Sequence, residues 1–110
     1  MDNEVIQNLI QELRRGCLSL SVMACLKEPQ YGYSLVQALA DKGMEIDQGT
    51  LYPLLRRLEK QGLLDSSWEL AETRPRRYYT LSSSGREVLA ELKKEWKALS
   101  DVTNALLSEF

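Results

Sequence analysis

Gln48-Gly-Thr-Leu-Tyr-Pro-Leu-Leu-Arg-Arg-Leu-Glu-Lys-Gln-Gly62 is the stretch on which the reading of this chain turns. Leu51, Leu54, Leu55 and Leu58 recur at the helical period and form one apolar stripe, leaving Gly49, Pro53, Arg56 and Lys60 opposite and Tyr52 and Arg57 on the flanks. A helix anchored by leucines and turning Arg, Lys and Tyr outward suits the major groove of duplex DNA, where such groups reach phosphates and base edges. The same pattern also describes an ordinary solvated amphipathic helix. The neighbouring segments have to decide between the two.

Upstream, Thr50 or Asp47 offers a cap, and Pro53 is tolerated only in a first turn, which predicts a helix start near Thr50 and a stop at Gly62. A preceding helix opens near Tyr31-Gly32-Tyr33, carries Leu35, Val36 and Leu39, and stops at Lys42-Gly43. Two helices joined by a short turn are the elements of a helix-turn-helix. Before them a long helix is expected from Asn3 to Lys27. Its stripe of Ile6, Leu9, Ile10, Leu13, Cys17 and Leu20 is one-sided, after which Leu18, Val22, Met23, Cys25 and Leu26 surround the axis and predict burial. Gly16 is a point for bending or close packing, and Glu28-Pro29-Gln30 reads as a short connection.

Downstream, Leu63 to Leu70 and Arg76 to Leu81 read as two strands joined by Ala71-Glu-Thr-Arg-Pro75, with Trp68, Tyr78 and Tyr79 favouring that state. A hairpin directly after such a helix is a wing. Arg74 at its tip is placed to enter a minor groove, and Arg76 and Arg77 to meet flanking phosphates; a solvated, charge-protected edge hairpin is the alternative. From Ser82 onward Leu89, Leu92, Trp96, Leu99, Thr103, Leu106 and Phe110 keep spacings of three and four, a seam of three heptads widened by Val88, Val102 and Leu107. A helix this long cannot bury its whole seam on a small domain, so a second copy is the economical cover, with an intramolecular helix as the alternative. Ser82 or Ser84 can start it, and Ser84 with Glu87 fits a capping box.

Composition sets the outer bounds. The chain has 110 residues, 44% hydrophobic and 27% charged, which fits one globular domain and not a disordered or membrane-spanning chain. No apolar run is long enough to cross a bilayer, and the Met-Asp-Asn-Glu start lacks a basic leader, so a cytoplasmic site is expected. The net charge of −2 argues against a nucleic-acid partner, but residues 48–80 hold six bases against four acids while the segments on either side are net acidic. The absence of histidine and two cysteines eight residues apart leave no metal site, no cofactor and no nucleophile–base pair, so no catalytic residue is assigned. Cys17 and Cys25 read as reduced thiols, since about 12 Å of intact helix separates them.

These pieces together carry a resemblance. Arg15-Gly16-Cys17-Leu18, Tyr31-Gly32-Tyr33-Ser34-Leu35, Gly49-Thr50-Leu51-Tyr52-Pro53-Leu54-Leu55, Arg57-Leu58-Glu59 with Gly62-Leu63, and Arg77-Tyr78-Tyr79-Thr80-Leu81 with Gly85 resemble, in that order, the PadR family of transcriptional regulators, in its short form with one C-terminal helix. Pro75, where relatives commonly carry glycine, and Ser82, where threonine is usual, depart from the pattern. The resemblance implies a mainly helical winged helix-turn-helix over residues 1–81, a dimerisation helix over residues 82–110, and one compact unit. It further implies a homodimeric repressor, often of transporter or stress-response genes, that binds a palindromic operator and leaves DNA when an effector binds.

Carried over residue by residue, the DNA contacts would be Gln48, Thr50, Tyr52, Pro53, Arg56, Arg57, Lys60, Arg74, Arg76 and Arg77. Arg57 could instead hold an acidic neighbour, and Tyr31, Tyr33 and Tyr79 could pack the helix pair against the wing. The dimer interface would join Ile6, Leu9, Ile10 and Leu13 to the C-terminal seam. Trp96 would either fill that interface or stack a small aromatic effector, as in multidrug-sensing relatives. A winged-helix module that binds protein rather than specific DNA is the competing function.

Overall fold

A computed structural model of the chain describes residues 3–70 and 75–110, so Arg74, expected at the wing tip, lies outside the described residues. In chain order the elements are α1 (Asn3–Ala24), β1 (Gln30–Tyr31), α2 (Gly32–Asp41), α3 (Gln48–Lys60), β2 (Leu64–Glu69), β3 (Arg76–Leu81) and α4 (Ser83–Leu107). Helices dominate, and the strands form one small antiparallel sheet in the order β1-β3-β2. The mainly helical class with a hairpin is as expected. The third strand is not: Gln30 pairs with Tyr79 and Tyr31 with Tyr78, so the supposed connection after Pro29 is a sheet edge.

Three element limits are set by particular hydrogen bonds, and the first two differ from the sequence reading. α1 stops at Ala24 instead of Lys27, because the Leu26 carbonyl turns away to accept the Leu81 backbone N–H (3.0 Å) and the Thr80 hydroxyl (3.2 Å). α3 starts at Gln48, before Thr50, because the Asp47 carboxylate accepts the Thr50 N–H at 2.7 Å and thereby defines the cap. Pro53 therefore lies beyond the first turn, and the hydrogen bond it forgoes is the one to the carbonyl of exposed Gly49. At α4, Ser82 is the cap: its hydroxyl accepts the Gly85 N–H (2.9 Å) and donates to the Gly62 carbonyl (2.7 Å), in place of a box between Ser84 and Glu87.

The core sits where the end of α1, α2, α3 and the root of the hairpin converge. Val22, Met23 and Leu26 meet Leu35 and Leu39, the four leucines of α3, and Leu64, Tyr79 and Leu81. All four α3 leucines are buried, so the stripe read from the sequence is the face that fastens the helix to the domain. The turn leading into α3 is held from α1, since the Arg14 guanidinium donates to the Glu45 carbonyl at 2.9 Å. Ser34 braces the start of α2, accepting the Tyr31 N–H (3.2 Å) and donating to the Gln30 side chain (2.8 Å).

α4 divides in two. Val88, Leu89 and Leu92 pack on the core, whereas Leu99, at 56% exposure, and Val102, Leu106, Leu107 and Phe110 beyond it face outward. The first half of α1 is equally bare: Val5, Ile6, Leu9, Ile10 and Leu13 are all exposed, Leu13 at 74%. Gly16, read as a point for bending or close packing, meets no neighbour of the single chain within 4 Å of where a Cβ would stand. Cys17 and Cys25 are free thiols, and burial pushes the Cys25 thiol pKa up.

Candidate nucleic-acid interface

With its leucines inward, α3 turns Gln48, Thr50, Pro53, Arg56 and Lys60 to the exterior. Beside it the hairpin projects, and between the two lies a cleft of about 680 Å³ lined by Gln48, Tyr52 and Arg56 of α3, Tyr31, Gly32 and Tyr33 at the start of α2, and Trp68, Pro75, Arg76, Arg77 and Tyr79 of the wing. Aromatic faces and guanidinium groups thus share one surface. That combination can stack on sugars and bases and neutralise phosphates.

Tyr52 is anchored at one end. Its hydroxyl lies where a Cβ on Gly32 would stand, so the half-buried ring wedges α3 against the first turn of α2 and leaves only part of its surface in the cleft. Gly32 is required by that close approach. Of the three tyrosines expected to pack the helix pair against the wing, Tyr79 is buried and Tyr31 half-buried, whereas Tyr33 is 59% exposed at the cleft rim.

The cations of this surface are in unlike situations. Arg56 and Lys60 are exposed, with neither an ion pair nor a hydrogen bond to another described side chain. Arg57 points back to the domain and donates to the Ser19 hydroxyl of α1 at 3.2 Å, so its partner is neutral instead of acidic. Arg76 lies over the Tyr31 ring, 4.5 Å from its centroid, and Tyr31 meets Tyr78 edge-on at 5.5 Å. Arg77 is engaged on the opposite face of the hairpin. It donates to both carboxylate oxygens of Glu59, at 3.0 and 3.1 Å, and reaches the Ser66 hydroxyl at 3.0 Å.

Ser66 in turn donates to Glu59, closing a three-membered clasp between α3 and both wing strands. The Arg77 guanidinium also stands 5.7 Å from the Trp68 ring and 5.6 Å from the Tyr79 ring. The Ser66 hydroxyl and, to a smaller extent, Arg77 hold the Glu59 carboxyl below its ordinary pKa. Burial raises that of the Tyr79 phenol despite the nearby Arg77 charge. Glu59 and Ser66 were not singled out as site residues from the sequence. Their signal is faint: a lone acid on a basic helix, whose partner is 18 residues away.

Residues 20–91 match the sequence model of the family described as transcriptional regulator PadR-like. A transcriptional regulator of Mycobacterium tuberculosis is 33% identical over 92 residues, covering 83% of this chain and 86% of its own length. The crystal structure of a PadR family transcriptional regulator from Eggerthella lenta is similar at a TM-score of 0.89 and 46% identity, over 96% of this chain and 94% of that one. A PadR-like regulator from Bacillus cereus is similar at a TM-score of 0.78 and 30% identity, over 87% and 96%.

Proposed function

We propose that this chain, which belongs to the PadR-like family of transcriptional regulators, binds an inverted-repeat operator as a homodimer and represses transcription from it. The observation that carries the reading is α3. It commits four leucines to the core and presents Gln48, Thr50, Pro53, Arg56 and Lys60 outward beside a wing that supplies Arg76. Such a helix enters a major groove with its polar face, while the wing and helix ends meet phosphates. A cytoplasmic site follows from this role, and no helix among the described residues is long and apolar enough to cross a membrane.

A single protomer reads one half-site. The bare apolar faces of α1 and α4 supply the means to pair two, because a second copy would cover Ile6, Leu9, Ile10 and Leu13 together with Trp96, Leu99, Leu106 and Phe110, removing from water a ridge that monomeric proteins rarely expose. Thr103 lies on the same helical seam. Trp96, about half exposed at 49%, would meet its counterpart near the two-fold axis and form one wall of a site for a flat aromatic effector that releases the protein from DNA.

The net charge of −2 and the neutralisation of Arg77 by Glu59 favour a competing role as a protein-binding module. A gel-shift and footprinting experiment on DNA upstream of the protein's own gene and its neighbours separates the two. A protected inverted repeat whose affinity falls steeply with salt supports the operator reading; absence of any specific shift, with capture of a protein partner, supports the other.

A further inference from the structure

Arg77 is exposed enough to be counted among the cations of the wing, yet its bonding is directed inward. The inner face of the hairpin grades from apolar to polar: Leu64 and Leu81 pair at the root, Ser66 and Tyr79 in the middle, and Trp68 and Arg77 outermost. Glu59 comes down on this face from the last turn of α3 and joins Arg77 and Ser66, one residue on each strand. Above the root, β1 holds β3 at Tyr79 and Tyr78. The clasp ties the outer hairpin to the helix that would lie in the groove.

The geometry points to Arg77 as a positioning residue that, through Glu59 and Ser66, sets the angle between the wing and the recognition helix, so that Arg76 reaches the flanking DNA when α3 is in the groove. This rests on the operator reading above and refines it. Arg77 donates to three oxygens of the protein itself, on α3 and β2, and lies against Trp68 and Tyr79. All three bonds leave from Nη2, so Nη1 and Nε keep N–H groups, but turning the guanidinium as a whole to a phosphate would leave the Glu59 carboxylate without its counter-charge beside a polyanion. On the other face Arg76 lies on the Tyr31 ring and, among the described residues, makes no side-chain hydrogen bond, which leaves its N–H groups to donate.

The two roles predict opposite signs for one substitution. If Arg77 were a phosphate contact partly masked by Glu59, Glu59→Gln would free it and raise operator affinity. If Arg77 positions the wing, Glu59→Gln lowers affinity about tenfold, the scale expected for loss of a charge-assisted hydrogen bond. The double variant Glu59→Gln/Arg77→Gln keeps the net charge. For a clasp it binds no more weakly than the weaker single variant and keeps the wild-type salt slope, whereas loss of a phosphate contact lowers the slope by about 0.9.

Arg77→Lys retains the charge but not the planar guanidinium that lies against Trp68 and Tyr79 while Nη2 serves Glu59 and Ser66, so it does not restore binding. In the DNA-free protein the Trp68 indole N–H resonance shifts in each variant as the guanidinium leaves its ring. Ser66→Ala, which changes no charge, shows the same loss in weaker form and carries the test should Glu59→Gln fail to fold. Equal or tighter binding by Glu59→Gln, or a reduced slope in the double variant, overturns the inference. Lack of specific DNA binding by the unsubstituted protein overturns the operator reading as well, so the two failures are distinguishable.

Discussion

Gly85 lies against Leu63 so closely that a Cβ on the glycine would overlap the Leu63 carbonyl oxygen. The contact joins the first turn of α4 to the residue leading into β2, and the same carbonyl accepts the Ser82 N–H at 3.0 Å. Since α4 carries the exposed seam and β2 half of the wing, this junction relates the proposed dimer axis to the DNA-facing surface.

Gly85→Ala forces two backbones apart and is expected to destabilise the fold by about 3 kcal/mol, the upper range for overpacking a fixed contact. Denaturant unfolding with the slope compared to wild type measures it. A loss below experimental error would show that α4 shifts without cost.

Asp47→Ala removes the carboxylate that caps α3 and should cost about 1 kcal/mol, whereas Asp47→Asn or Asp47→Ser keeps an acceptor and most of the stability. Thermal unfolding of the three variants provides the comparison. Equal melting of Asp47→Ala and wild type would mean that the cap contributes nothing.

Leu99→Glu places a charge in the outer seam of α4 and should leave a folded monomer where wild type sediments as a dimer at micromolar concentration. A monomeric wild type contradicts the heptad argument. Trp96→Ala addresses the pocket separately: binding of a flat aromatic dye should be lost while the dimer persists, and retained dye binding would dismiss the effector site.

A Cβ on Gly16 would meet no neighbour within 4 Å in the single chain, so Gly16→Ala should raise stability by about 1 kcal/mol through helix propensity. A lower melting temperature would instead place Gly16 in the contact between two copies.

Glu59 has a lowered pKa in the folded protein, so its contribution to stability is complete above the ordinary glutamate pKa and drains away as pH falls through the lowered value. The difference in unfolding midpoint between wild type and Glu59→Gln should therefore be constant near neutral pH and shrink in acid. A difference that grows on acidification would reverse the sign of the shift.

Some of this was legible along the chain because it depends on near neighbours. The spacing of Leu51, Leu54, Leu55 and Leu58 implies a buried stripe wherever the helix packs, and Arg76 to Leu81 reads as a strand from its own residues, with limits that agree with β3. What failed to show depends on residues far apart in sequence. Two residues, Gln30 and Tyr31, have no periodicity of their own and become a strand only because Tyr78 and Tyr79 lie beside them. Ser82 and Ser84 are equal candidates for a cap until the Gly62 carbonyl and Gly85 N–H select the first.

The cations mark the boundary most clearly. Their number and their concentration between residues 48 and 80 are properties of the sequence, and with the leucine stripe, the hairpin and the heptads they determined the class of protein. Which of them remain open to a partner was decided by the tertiary structure. Arg56 and Lys60 project outward, Arg57 turns back to Ser19, Arg76 lies on Tyr31, and Arg77 is taken by Glu59 and Ser66. A charge is a local attribute of a residue, but its availability depends on which donors and acceptors the fold brings within about 3 Å, and sequence spacing carries no record of that distance.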